Sequence, residues 1–197
     1  MNGGQLPDLL IGASQWNASV GRAYVFYSPA VGSGTSSSAD AIIEGVMFTD
    51  YLGTAVAVAD INGDAIGDAI ITAPHDPAEI AGPGLVYVFF GRVTGLHRAA
   101  AADVVVRGEA DDDRFGISAS SGDLDGDDTT DLVVGADDIH GSTPGEAYLF
   151  LGPLAGDVFA SSADAEITGE SPDDVFGCSV AADGDAHGDG FDDVLPS

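Results

Sequence analysis

Three segments of the sequence repeat a pattern of oxygen-bearing side chains around a glycine. They begin at Asp60, Asp123 and Asp185, and each has aspartate at positions 1, 5 and 9 and glycine at position 4. Position 3 adds an amide or a carboxylate in the first two segments. Calcium takes about six to eight oxygen ligands in flexible geometry, and the glycine lets the backbone turn sharply around one centre. The spacing therefore predicts calcium-binding loops.

The candidate ligands follow from the loop positions. Position 7 has no useful side chain in two of the three loops, so we predict that its backbone carbonyl oxygen binds the ion. The second loop supplies four carboxylates and is expected to bind best, whereas the third has His187, a poor calcium ligand, at position 3. The predicted ligands are Asp60, Asn62, Asp64, Ile66, Asp68, Asp123, Asp125, Asp127, Thr129, Asp131, Asp185, Asp189, Phe191 and Asp193.

The flanks of the loops distinguish them from EF-hands. An EF-hand loop needs glutamate at position 12, whereas the three segments have Ile71, Val134 and Pro196 there. An EF-hand also needs a helix on each side, and these loops are followed by short runs typical of strands. We therefore expect each site to lie between two strands.

The runs around the loops predict the fold that positions them. Short apolar stretches bounded by Gly, Asp, Pro and Ser recur, as at 24–27, 86–90 and 132–134, while helical periodicity is scarce. The three loops start 63 and 62 residues apart, and each repeat contains four such stretches. This pattern predicts an all-β chain, a partial β-propeller of about three four-stranded blades with calcium-binding loops.

Two further elements recur with the loops and carry a family resemblance. Each loop is preceded by a pair such as Phe115-Gly116 and followed by a segment such as Gly135-Ala136 or Thr72-Ala73-Pro74; the other two pairs are Leu52-Gly53 and Phe176-Gly177. In this order, they resemble the FG-GAP repeat of integrin α-subunit propellers. The resemblance implies a calcium-carrying propeller that acts in adhesion or extracellular recognition, at the cell surface or outside the cell, with a protein or glycan ligand. One departure is Ala65 at loop position 6, where the family favours glycine.

The repeat divides the chain into four units. We assign 1–47 to a partial blade, 48–111 and 112–173 to whole blades, and 174–197 to a truncated repeat. Because about four to eight blades close a propeller, we expect the chain to be a fragment of a longer propeller; the alternative is that two copies close a six-blade ring. Exposed strand edges would also allow self-association.

The charge balance excludes several partners. The chain has 33 acidic residues against 5 basic ones and a net charge of −28, so nucleic acid and anionic membranes would be repelled. No apolar run approaches the roughly 20 residues of a membrane-spanning helix, so membrane insertion is not expected.

Catalytic motifs are missing from the sequence. It contains no Gly-x-Ser-x-Gly elbow, His-Glu-x-x-His helix, phosphate-binding glycine loop or Cys/His cluster. We therefore expect a non-catalytic module. The alternative is an accessory propeller of a larger secreted hydrolase or lyase, resembling a phospholipase D or a polysaccharide-acting enzyme.

Overall fold

The computed structural model describes residues 1, 7–28, 33–75, 82–111, 113–137, 143–182, 184–186, 188 and 191–196. Over these residues the chain is built almost wholly of strands, which confirms the all-β prediction. The strands are β1 (Leu9–Ala13), β2 (Arg22–Phe26), β3 (Ala41–Glu44), β4 (Val56–Ala59), β5 (Asp68–Ala73), β6 (Leu85–Phe89), β7 (Gly95–Arg98), β8 (Val104–Arg107), β9 (Ser118–Gly122), β10 (Asp131–Ala136), β11 (Glu146–Phe150), β12 (Gly156–Phe159), β13 (Ala165–Thr168), β14 (Val180–Ala181) and β15 (Leu195–Pro196).

The helical segments within the described ranges are single turns. Short 3-10 turns occupy Ser36–Ser38, Ala99–Ala101, Ala160–Ser162 and Pro172–Asp174. The four-residue α1 (Trp16–Ser19) has left-handed torsions at Asn17 and Ala18, with φ of 50° and 57°, so it is a turn and not a regular helix. No described helix is long and apolar enough to cross a bilayer.

The strands form consecutive antiparallel sheets that correspond to propeller blades. The second sheet contains β4, β5, β6 and β8 in that spatial order, and the third contains β9, β10, β11 and β13 in the same order. The first sheet has the equivalents of the last three strands, namely β1, β2 and β3, and the pair β14 and β15 begins a fourth. The four-stranded unit predicted from the repeat is therefore confirmed.

Two strands that the sequence analysis missed join each blade to the one before it. β7 lies in the chain between β6 and β8 of the second sheet, yet it pairs in parallel with β3 of the first. β12 does the same from the third sheet to β8 of the second. Both begin at a glycine with positive φ, 81° at Gly95 and 68° at Gly156, where the backbone reverses toward the neighbouring blade. The blades are thus linked by hydrogen bonds as well as by packing.

The apolar core lies between the sheets. In β5, Ile71 packs in the cluster shared with the first sheet, whereas Ile70 packs in the cluster shared with the third. Tyr87 and Val88 of β6 divide between the same two clusters. Successive side chains of a strand point to opposite faces, so a sheet covered on both sides has strands that are buried throughout, as β5 and β10 are.

The Phe-Gly pairs pack between adjacent blades. Phe115 is fully buried, with its ring 5.4 Å from that of Tyr148 and 6.4 Å from that of Phe150 in edge-on geometry. Gly116 donates its N–H to the carbonyl oxygen of Gly135 at 2.9 Å, with a φ of 91° that favours glycine. The equivalent glycines, Gly53 and Gly177, have φ of 88° and 84°. The pair fixes where each new blade begins and so sets the position of the loop that follows.

Candidate metal sites in the loops between strands

The aspartate-rich loops join the first and second strands of successive blades. The antiparallel partners Ala59 and Asp68 close the first loop at its base, and Gly122 and Asp131 close the second. Directly opposed residues in an antiparallel pair lie about 5 Å apart. Each loop is therefore held as a compact turn at one end of its sheet, with positions 1 and 9 side by side.

Position 9 is a buried carboxylate that fastens the loop to the rest of the blade. Asp68 is 0% exposed and Asp131 is 1% exposed. Each accepts one N–H from its own loop and another from the turn after the third strand. The donors are Ile61 (3.0 Å) and Gly91 (2.7 Å) for Asp68, and Leu124 (2.8 Å) and Gly152 (2.9 Å) for Asp131. This aspartate thus has a structural role that does not depend on an ion.

The electrostatics around position 9 favour a cation. Burial raises the pKa of Asp131 above its ordinary value, the carboxylates of Asp125 and Asp123 raise it further, and its two backbone N–H donors act in the opposite direction. Burial likewise raises the pKa of Asp68, with Asp64 and Asp60 adding to the effect. Like charges close together disfavour ionisation, and a divalent cation among them would relieve that repulsion.

The second loop brings three of its carboxylates to one point. Oxygen atoms of Asp123, Asp125 and Asp131 all lie within 4.8 Å of one another. Asp123 also accepts the N–H groups of Gly126 at 2.8 Å and Asp128 at 3.1 Å, which holds its carboxylate toward the turn. Hard oxygen ligands from positions 1, 3 and 9, in a turn that also offers carbonyl oxygens, suit Ca²⁺. This donor set fits the ion that the sequence predicts, and it could hold a metal.

Positions 5 and 7 of the second loop lie outside this group. One oxygen of Asp127 accepts the N–H of Thr129 at 2.7 Å, and Asp127 is not among the grouped carboxylates. The proposals that Asp127 and the carbonyl of Thr129 bind the ion therefore stay predictions. The structure brings together three of the four carboxylates that the spacing singled out in this loop.

The first loop has the same hydrogen-bonded turn with fewer charges. Asp60 accepts the N–H groups of Gly63 at 2.8 Å and Ala65 at 2.6 Å, while the side-chain amide of Asn62 donates to Asp64 at 3.3 Å. Ala65 has a left-handed φ of 64°, the strain expected where the family favours glycine. In the part of the chain that the structure describes, the carboxylates of this loop are not grouped as those of the second are. Ile66, at position 7, donates its N–H to Asp64 at 2.8 Å.

The third loop is described only in part. Asp189 and His187 lie outside the described residues. Asp185 accepts the N–H of Gly188 at 2.5 Å, and Asp193 accepts that of Ala186 at 2.7 Å.

The third loop also contacts the second. A Cβ atom added at Gly126 would lie 2.0 Å from the ring of Phe191. Asp192 accepts the N–H of Asp123 at 3.1 Å, and its own N–H donates to the carbonyl of Asp123 at the same distance. The grouped carboxylates of the second loop therefore have the third loop as a direct neighbour.

Sequence reasoning missed two other sets of repeated aspartates, which act in turns. Asp40, Asp103 and Asp164 each accept a backbone N–H thirteen residues back in the chain, at 2.7–2.8 Å. Asp50, Asp113 and Asp174 accept N–H groups in the turn before the Phe-Gly pair, at 2.7–3.1 Å. Their recurrence at the repeat spacing was the signal that would have found them. Six aspartates outside the loops thus have a structural role.

Comparison with known proteins agrees with the repeat assignment. The model of the FG-GAP repeat matches residues 52–89 and 115–150, that is, the second blade and the third. Each match begins at the Phe-Gly pair or its equivalent, Leu52-Gly53, and runs through the aspartate-rich loop to the end of the third strand. The match over residues 115–150 includes the grouped carboxylates of the second loop.

Relatives among characterised proteins fall into two groups by name. Phosphatidylinositol-glycan-specific phospholipase D of Bos taurus is 30% identical over 139 residues, 66% of this chain and 16% of the relative. Integrin alpha-IIb of Homo sapiens is 33% identical over 120 residues, 58% of this chain and 12% of the relative. Integrin alpha-PS5 of Drosophila melanogaster is 30% identical over 159 residues, 78% of this chain and 15% of the relative. The matched segment is thus a small part of each of these longer proteins.

Proposed function

Because this chain is built of FG-GAP repeats like those of integrin α subunits, we propose that it is a calcium-binding propeller module that recognises an extracellular ligand and performs no catalysis. The observation that carries the proposal is the group of Asp123, Asp125 and Asp131, which lies in a loop covered by the repeat match. Three converging carboxylates are costly without a counter-ion, and Ca²⁺ is the common ion that accepts such a set.

Calcium would act by stabilising the fold. The ion would neutralise the carboxylates of positions 1, 3 and 9 and so fix the turn between the first two strands of a blade. Because the unfolded chain has no such site, binding energy adds to folding energy. Affinities on the order of 10⁻⁴–10⁻³ M, as in extracellular modules, suit a compartment where calcium is plentiful. We therefore propose that the module works at the cell surface or outside the cell.

The recognition role rests on the integrin relatives. They support an adhesive or ligand-binding module with an extracellular protein or glycan as partner. The net charge of −28 argues against nucleic acid and anionic lipid surfaces. We also propose that open blade edges allow self-association.

The relatives named as phospholipase D favour a second candidate function. In that case the module would be an accessory propeller of a larger secreted hydrolase or lyase. The two candidates make the same statement about calcium and differ in what the rest of the parent protein does. A hydrolase motif in the parent reading frame would favour the second candidate, and a membrane anchor or further repeats would favour the first.

A calorimetric calcium titration tests the proposal. We expect saturable binding by the unaltered chain and at least a tenfold weaker site after Asp125→Asn, because a ligand of the grouped set is lost. Asp128→Asn is the matched control, since Asp128 lies in the same loop outside the group. Asp64→Asn and Asp127→Asn report on the first loop and on position 5.

A thermal melt completes the test. At ten times the dissociation constant, one occupied site adds about 1.4 kcal/mol, which corresponds to about 3–6 °C in the midpoint for a chain of this size. An unchanged midpoint in excess calcium and in chelator, together with no binding heat, would contradict the proposal.

A further inference from the structure

A cavity of about 250 Å³ lies at the end of the sheets opposite the aspartate-rich loops. Its polar lining comes from Ser14, Tyr51, Thr54, His75 and Arg114. These residues follow the second strand of a blade or precede the first strand of the next. β5 is six residues long, so the two ends of the sheet lie about 17 Å apart. The cavity is therefore a separate place from the candidate metal sites.

His75 lines this cavity with an unsatisfied polar atom. Its side chain is 5% exposed, and its Nδ1 has no hydrogen-bond partner among the residues that the structure describes. Its Nε2 lies 3.7 Å from an oxygen of Asp50, too far for a hydrogen bond. Leaving a buried polar atom unpaired costs about 1–3 kcal/mol. Because Nδ1 is buried away from solvent, a ligand with a hydroxyl group would pair with Nε2.

The left-handed backbone torsion of His75 is not found at the equivalent position of the first blade. His75 has a left-handed φ of 56°, whereas Gln15, which occupies the equivalent place after β1, has a φ of −91°. The left-handed φ of Tyr51 and Arg114 is different in origin, since Val175 shares it at the third equivalent position before a Phe-Gly pair. Strained torsions outside a repeated turn tend to occur at functional sites.

The charged groups at the cavity already have partners. Arg114 contacts both carboxylate oxygens of Asp137, at 3.0 and 3.1 Å. One oxygen of Asp50 accepts the N–H groups of Val46 and Met47, both at 2.7 Å, and the other faces His75. An anionic ligand would thus find Arg114 already matched by Asp137, and Asp50 does not line the cavity. The wall favours a neutral ligand with many hydrogen-bonding groups.

The remaining lining has the mixed character that a sugar ring requires. The hydroxyl groups of Ser14 and Tyr51 can each donate and accept, whereas that of Thr54 donates to the carbonyl oxygen of Tyr51 at 2.8 Å and can still accept. Pro74 and Ile117 add apolar surface. A sugar presents hydroxyls at its edge and C–H groups on its faces, which match these two kinds of wall. Small-ligand pockets span about 300–1,000 Å³, so this cavity suits a single ring and not a longer chain.

From these observations we propose that the cavity between the first three blades binds one ring of a neutral carbohydrate, with His75 as a hydrogen-bonding residue. The inference rests on the recognition role proposed above and deepens it, since it selects a glycan as the ligand and assigns its site. Calcium binding by the loops is independent of it, so failure of one leaves the other standing.

The test titrates the full chain, in calcium, with methyl glucoside, methyl galactoside, methyl mannoside and N-acetylglucosamine, followed by ¹⁵N–¹H shifts. We expect saturable shifts with at least one sugar at the amides of Tyr51, Thr54 and Arg114, and none in the aspartate-rich loops. Sodium acetate, titrated in parallel, should give no saturable shift. The proposal is overturned if no sugar gives saturable shifts, if the shifts fall elsewhere, or if acetate binds and the sugars do not.

Two variants complete the test. His75→Phe keeps a ring in the wall but removes the hydrogen-bonding nitrogen, so we expect at least tenfold weaker sugar binding. His97→Phe is the control, because His97 lies in β7 outside the cavity. Melting curves show whether each variant is folded. Equal sugar affinity in folded His75→Phe and in the unaltered chain would overturn the assignment of His75, and Tyr51→Phe tests the site independently if His75→Phe does not fold.

Discussion

Aspartate has at least three separate roles in this molecule at the residue scale. Some carboxylates converge in the second loop, some fasten a loop to its blade, and others cap the turns at strand ends. A residue such as Asp131 does two of these at once, because it belongs to the grouped carboxylates and also accepts two buried N–H groups. Removing it should therefore weaken the fold even without calcium.

Asp131→Ala tests the fastening role. In excess chelator, we expect the free energy of unfolding to fall by about 2–4 kcal/mol, because the N–H groups of Leu124 and Gly152 lose their acceptor. Asp128→Asn, at an exposed place in the same loop, should stay within about 0.5 kcal/mol of the unaltered chain. Denaturant unfolding measures both. Equal stability of Asp131→Ala and the unaltered chain would show that these hydrogen bonds do not hold the loop.

His75 should make stability depend on pH. Burial lowers the pKa of His75 below its ordinary value of 6.5, so the unfolded chain takes up the proton more readily than the folded one. Its contribution is therefore complete above about pH 6.5 and is lost as the pH falls toward the folded-state pKa. Between pH 7 and 5.5, we expect the unaltered chain to lose about 1 kcal/mol more than His75→Phe.

Denaturant unfolding of His75→Phe and of the unaltered chain at each pH measures this difference. A steeper pH dependence for His75→Phe than for the unaltered chain would contradict the sign.

At the scale of the elements, the sequence predicted the loops and strands that recur in each repeat, but it did not predict the strands that pair with a neighbouring repeat. The loops, the strands on either side of them and the closing strands were visible because their apolar runs recur at fixed spacing. Strands β7 and β12 were not, since most of their side chains are exposed and their partners belong to another repeat. The position of Asp127 was also beyond the sequence, because spacing gives which carboxylates share a loop but not which way each one turns.

Close approach between blades requires glycine at several positions, of which Gly84 is one. A Cβ atom at Gly84 would lie 1.8 Å from the carbonyl oxygen of Phe115, a backbone atom that cannot move aside. We expect Gly84→Ala to lower stability by about 3 kcal/mol, which corresponds to a midpoint drop of about 6–12 °C.

Gly82→Ala is the matched control for this substitution. Its nearest neighbour would be 3.9 Å away, an ordinary contact. If the melting curves of Gly84→Ala and Gly82→Ala superimpose, the close contact between the blades at Gly84 does not contribute to stability.

At the scale of the whole molecule, the open edges of the sheets invite association. No described strand pairs with the outer edge of β1, and Leu9 and Ile11 on it are 48% and 43% exposed. Among the described strands, none pairs in parallel with β13 at the edge of the third sheet, as β7 and β12 do with β3 and β8. Unpaired edges are templates for other chains. We expect a mass that rises with concentration in light scattering.

A lysine on the edge should reduce this association. Ile11→Lys places it on β1, and Val58→Lys places it on the paired strand β4, where the side chain is similarly exposed at 44%. We expect only Ile11→Lys to lower the mass. A discrete particle of twice the chain mass in calcium would instead support the closed six-blade ring. A single-chain mass at all concentrations would contradict both forms of association.

The parallel strands β7 and β12 also bear on how such a protein can grow in evolution. A tandem gene duplication copies a sequence repeat, and each copied repeat carries the strand that completes the sheet before it. An added unit therefore arrives with its own means of attachment, and the older unit needs no compensating mutation.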